Sequence, residues 1–199
     1  MKTLLKSFSL FTLFSLSMGS FAQATVARSE REALSDLARV TQAQRFELVG
    51  GYGEQTDSYR IAFHWHLFAK ALRKWDMEIS LATNYSVFDG EEDEAGDPVR
   101  MRDLGITPTF TFYSHSTWQG FRPYIEGGIG FHYLTDKEFT AKDFSTNFQF
   151  GDHIGLGVKF GNRNHLRLAY QFQHLSNAGI REPNPGINFH HLNFGVNLK

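Results

Sequence analysis

Cysteine is absent from all 199 residues, which removes disulfide frameworks, thiolate metal sites and a cysteine nucleophile together. Charge of one sign is also missing. Lys and Arg number 20 against 21 Asp and Glu, and a formal net charge of -1 excludes a dedicated binder of phosphate backbones, so nucleic acid is not an expected partner. No phosphate-binding glycine loop, dinucleotide fingerprint or zinc-helix motif occurs. Beyond the N-terminus, no apolar run approaches the roughly 20 residues of a membrane helix. What the chain has in excess is aromatic side chains, with 20 Phe, 7 Tyr and 3 Trp beside 18 Gly at a mean hydropathy of -0.34. That mixture suits strands better than helices, and the length suits one domain.

Residues 1–24 read as an export signal: Lys2 and Lys6 form the basic start, Leu10 to Leu16 the apolar stretch, and Ala22-Gln23-Ala24 the small-residue cleavage site. Residues 25–45 are polar and helix-compatible, with Leu34, Leu37 and Val40 as a thin apolar stripe, and are expected to form a short periplasmic segment. From 46 to 199 the period is two. Ile61, Phe63, Trp65 and Leu67 alternate with Ala62, His64 and His66. Trp75, Met77, Ile79, Leu81, Tyr85 and Val87 alternate with Asp76, Glu78, Ser80 and Asn84. Leu104, Ile106, Phe110 and Phe112 oppose Asp103, Thr107, Thr109 and Thr111, and Ile125, Ile129, Phe131 and Tyr133 oppose Glu126 and His132. Phe148, Phe150, Ile154, Leu156 and Val158 oppose Gln149, His153 and Lys159.

With a first strand near Phe46 to Glu54, a seventh from His165 to Ser176 and an eighth from Ile187 to Leu198, the count is eight. The expected fold is all-β: an eight-stranded antiparallel transmembrane barrel, its apolar face toward lipid, in the bacterial outer membrane. A soluble barrel with its apolar face around an internal ligand is the competing architecture. In the membrane reading, connections near residues 55–58, 88–99, 136–146 and 177–186 face the exterior, and the acidic run Glu91-Glu92-Asp93-Glu94 is a solvated external loop. His64, His66, His132 and His153 resemble a metal cluster in composition, but lie on inward faces where hydrogen bonding in the lumen is the expected role, so no metal site is assigned.

On the seventh strand, Leu166, Leu168, Tyr170 and Phe172 share one face, and the same phase carries His174 and Ser176 onto it. Two polar groups thus face lipid near the external end, spaced about 6.6 Å apart as i and i+2 on a strand. They have the chemistry of a general base and a nucleophile. On the eighth strand, the phase of Leu192, Phe194 and Val196 extended backward turns Asn188 and His190 outward as well.

The segment His174-Leu175-Ser176-Asn177-Ala178-Gly179-Ile180, followed by Pro183-Asn184-Pro185-Gly186-Ile187, resembles the C-terminal signature of outer-membrane lipid A 3-O-deacylases of the PagL type. The resemblance is sharp over residues 165–198 and architectural elsewhere. It implies an esterase without cofactor acting on lipid A of lipopolysaccharide, with Ser176 as nucleophile, His174 as base, and Asn177 and Asn184 holding the oxyanion. It says nothing of oligomeric state. Where the best-known members carry Glu as the acid, this chain has Asn188. Three readings follow: Asn188 suffices to orient the imidazole, Glu182 from the external loop supplies the charge, or the barrel is non-catalytic and serves structure or adhesion.

Overall fold

The structure, a computed structural model, describes residues 43–92 and 98–198, so the expected export signal and residues 25–42 lie outside the described residues. Ten strands follow: β1 (Ala43–Gly53), β2 (Thr56–Ala71), β3 (Trp75–Glu92), β4 (Pro98–Ser114), β5 (Arg122–Leu134), β6 (Glu138–Phe139), β7 (Lys142–Asp143), β8 (Phe148–Phe160), β9 (Leu166–Ser176) and β10 (Ile187–Asn197). Eight close into an antiparallel barrel in the order β1-β10-β9-β8-β5-β4-β3-β2, while β6 and β7 form a small separate hairpin. Closure of β1 on β10 leaves the barrel no free edge, which is how a sheet satisfies its backbone in lipid. The barrel strands run 11 to 18 residues, enough for a tilted bilayer crossing.

Alternation sets the faces. Ile61, Phe63, Leu104, Ile106, Phe110, Ile129, Phe131, Ile154, Leu156, Leu192 and Phe194 are exposed on the outside, while Arg45, Glu47, Arg60, His64, Asp103, Glu126, His132, Arg167 and Gln171 are buried within. This inverted burial is satisfied only against hydrocarbon. The interior is packed rather than hollow: the void between Glu47, Arg60, His64, Thr107, Glu126 and His153 measures about 30 Å³. That volume holds a water or two, and a second space of about 160 Å³, lined by Arg45, His66, Glu78 and Lys159, is polar, so neither suits the apolar ligand of a soluble carrier barrel. His64 bonds Glu47 at 3.2 Å and His132 bonds Asp103 at 2.8 Å, both inside.

Several boundaries differ from expectation. β1 starts at Ala43 because Arg45, buried, pairs with Glu47 at 2.7 Å inside the barrel. The first external connection shrinks to residues 54–55, and β3 and β4 extend past the expected loop edge, joined there by the Asp89–Arg100 ion pair. Glu91 and Glu92 therefore belong to β3 rather than to a loop, while Asp93 and Glu94 lie outside the described residues. At the external mouth, inward residues turn apolar: Phe88, Met101, Leu134, Leu175, Ile187 and Phe189 enclose Phe139 and Phe144 from the 135–147 connection. This cluster plugs the mouth and anchors the loop that carries β6 and β7.

The folded chain is expected to fractionate with outer membranes, resist carbonate extraction and migrate faster on gels when unheated. Recovery as a soluble periplasmic protein would contradict the lipid-facing assignment.

Candidate active site

The outward phase of β9, apolar through Leu168, Tyr170 and Phe172, becomes polar at its external end with His174 and Ser176, both half-buried. Leu175 between them is fully buried in the mouth cluster, and that inward anchor is what holds both neighbours outward. Asn188 on β10 lies directly across from His174, with its Oδ1 2.7 Å from His174 Nδ1. A carboxamide oxygen only accepts, so Nδ1 donates and Nε2 keeps the lone pair a base needs. No hydrogen bond joins His174 to Ser176 among the described residues, and such nucleophile–base bonds commonly tighten only with substrate in place. His190, also outward, meets the Tyr170 hydroxyl at 2.6 Å.

The 177–186 connection is built around Asn177, which is buried. Its Nδ2 donates to Arg181 O at 2.7 Å, Ser145 Oγ at 3.0 Å and Phe144 O at 3.2 Å, while its backbone N–H donates to Asn184 Oδ1 at 3.0 Å. The two residues expected to hold the oxyanion therefore meet each other, with the Asn177 side chain committed to bracing the loop. Glu182 accepts from Asn184 N at 3.0 Å, so its carboxylate serves the loop backbone while His174 is served by Asn188. Gly186 ends the connection at φ 60, where an added Cβ would stand 2.7 Å from His174 Cε1. Both the conformation and the close approach require glycine there.

Gly186→Ala is expected to lower kcat on the order of 10²-fold by displacing the imidazole, with the heat-dependent gel shift retained. Wild-type turnover in that variant would show that the ring position is not critical.

The barrel register brings further charged groups to this row that sequence reading passed over. Asp152 on β8 lies opposite His174 and is exposed on the outer face. Its even phase, shared with Phe150 and Ile154, was the signal that could have found it. Glu54, just past β1, is held by Lys142 of β7 at 2.9 Å, and Lys142 also donates to Gly186 O at 3.0 Å. Only the β1–β10 closure makes that contact visible.

A closed barrel with an apolar exterior and a row of His174, Ser176 and Asn188 at one rim defines an integral outer-membrane protein with a candidate esterase site there. The family model for lipid A 3-O-deacylase (PagL) matches residues 57–197, and the chain belongs to that family. It is 35% identical over 144 residues to the lipid A deacylase PagL of Bordetella bronchiseptica, covering 72% of this chain and 75% of that one. It is 26% identical over 153 residues to the lipid A deacylase PagL of Pseudomonas aeruginosa, covering 74% and 82%. The crystal structure of the outer membrane enzyme PagL matches with a TM-score of 0.67 at 22% identity, over 77% of this chain and 99% of that one, which shows a shared fold.

Proposed function

We propose that this chain hydrolyses the ester-linked acyl chain at the 3-position of lipid A, working from the barrel exterior at the outer-leaflet rim. The observation that carries the reading is the His174 Nδ1–Asn188 Oδ1 bond of 2.7 Å beside Ser176 on the lipid face, since a purely structural barrel gains nothing from these polar groups there. Ser176 Oγ attacks the ester carbonyl while its proton passes to His174 Nε2, giving a tetrahedral oxyanion. Asn177 N–H occupies Asn184 Oδ1 and leaves Asn184 Nδ2 as the amide donor for that oxyanion. Collapse breaks the acyl C–O bond, and the sugar 3-hydroxyl leaves with the proton from His174. Water, deprotonated by the same imidazole, then cleaves the acyl-enzyme, returns the proton to Ser176 Oγ and releases a 3-hydroxy fatty acid.

Asn188 orients the imidazole in this scheme but adds no charge to stabilise the imidazolium. Asn188→Glu is accordingly expected to raise kcat and Asn188→Ala to lower it, whereas Glu182→Gln costs little because that carboxylate serves Asn184 N. A loss of about 10²-fold in Glu182→Gln would instead make Glu182 the acid.

The direct test is purified protein in detergent micelles with lipid A bearing a 3-O-linked acyl chain. One free 3-hydroxy fatty acid should appear per lipid A converted. Intact lipid A after incubation with folded barrel would favour the non-catalytic reading.

A further inference from the structure

The neutrality of Asn188 raises the question of what keeps its amide facing the right way. The oxygen and nitrogen ends of a carboxamide have nearly the same size, so packing alone does not choose between them. With the amide reversed, Nδ2 would point at His174 Nδ1, which would then have to accept. The imidazole proton would sit on Nε2, and the base would be lost. In the serine-protease template the wrong tautomer costs about 10⁴ in kcat.

The end of β1 supplies a group that can make the choice. Gly53 is paired with Phe189, so the next step of the register sets Glu54 beside Asn188, and both take the outward phase. Gly53 allows the close approach of the two strands, because a Cβ there would stand 2.5 Å from the backbone carbonyl oxygen of Asn188. Lys142 draws the exposed Glu54 side chain toward this row, its ammonium 2.9 Å from Glu54 Oε2 and 3.0 Å from the backbone oxygen of Gly186, the glycine that abuts the His174 ring. The Lys142 ammonium holds the Glu54 carboxyl below its usual range by hydrogen bond and charge, and the neighbouring Asn188 side chain acts in the same direction. A carboxylate accepts only, so the Asn188 end that faces it is the NH₂.

We propose that Glu54 is the positioning carboxylate of this site: it binds Asn188 Nδ2, keeps Asn188 Oδ1 on His174 Nδ1, and so holds the imidazole in the tautomer whose Nε2 can accept a proton. Glu54 touches neither substrate nor the reacting atoms; it acts through Asn188. It also lies outside residues 57–197, the part matched by the family model. The inference rests on the deacylase reading, with Ser176 as nucleophile.

The test is Glu54→Ala in two backgrounds, the natural chain and Asn188→Glu, with Asn188→Asp as a second carboxylate background and Ser176→Ala as the control. With Asn188 present, Glu54→Ala should lower kcat roughly tenfold or more and leave KM in place, since the ground-state contacts with lipid are untouched. With a carboxylate at 188 there is no amide to orient, and Glu54→Ala should cost nothing. An equal loss in both backgrounds would make Glu54 a structural brace of the turn and overturn the proposal, as would an unchanged kcat with Asn188 present. Either result beside a dead Ser176→Ala leaves the deacylase reading standing, whereas an active Ser176→Ala removes that reading and this inference with it.

Discussion

Ser176→Ala and His174→Ala are each expected to abolish release of the 3-hydroxy fatty acid while leaving the barrel folded. Both side chains sit half-buried on the outer face, outside the mouth cluster and the polar lumen, so their truncation removes little packing. The chemistry is another matter. Without the hydroxyl no acyl-enzyme forms, and without the imidazole the hydroxyl is not activated; loss of either member of such a pair costs several orders of magnitude, about 10⁶ in the subtilisin template. The two losses should also be non-additive, the double variant being no worse than either single one. Retention of more than about a tenth of the wild-type rate in either variant would exclude that residue from the reaction, because removing even a general base alone ordinarily costs about 10² to 10⁴. The heat-dependent gel shift, measured on the same samples, shows that the barrel is intact.

Arg167→Met is expected to have the largest effect on stability. Arg167 is almost fully buried in the lumen, its Nη2 2.7 Å from Glu126 Oε2, its Nη1 2.9 Å from the Tyr113 hydroxyl and its Nε 3.2 Å from the Tyr124 hydroxyl. The guanidinium also lies over the Tyr124 ring, 4.2 Å from its centroid. Truncation leaves the Glu126 carboxylate buried without its counter-charge, and breaking a buried pair in this way costs about 3–5 kcal/mol. Neutralising both partners, as in Arg167→Met with Glu126→Gln, should recover much of the loss, since the penalty comes from the orphaned charge more than from the missing attraction. Urea unfolding followed by gel mobility provides the measurement. A single-variant loss under about 1 kcal/mol, the size of an exposed ion pair, would mean that water reaches this part of the lumen.

Much of this fold was legible because lipid outside and polar groups inside turn each strand into an alternating row. Ile61-Phe63-Trp65 against Ala62-His64 settles the face of β2 without any tertiary information. The strand ends were harder to read. Above the apolar band the outward positions become polar, as at Asp89 and Arg100, and only their pairing shows that β3 and β4 continue. The mouth cluster was hidden for a related reason: Phe88, Met101 and Leu134 are apolar at inward positions, where the lower lumen carries polar groups, and nothing local announces the change. In the candidate site, phase alone turns His174, Ser176 and Asn188 outward on two consecutive strands, while the roles expected of them come from the family resemblance. Phase also turns Asp152 outward, but its place beside His174, like those of Lys142 from a loop hairpin and Glu54 from the opposite end of the barrel sequence, comes only from register and closure.

The most direct measurement is mass spectrometry of lipid A extracted from the outer membrane of a Gram-negative host carrying 3-O-acylated lipid A, with and without expression of this chain. Expression of the natural chain should shift lipid A down by the mass of one 3-hydroxyacyl group, and expression of the folded Ser176→Ala variant should leave it unshifted. Unaltered lipid A beside a folded, membrane-inserted natural chain, or the same mass loss with Ser176→Ala, would contradict deacylation by Ser176.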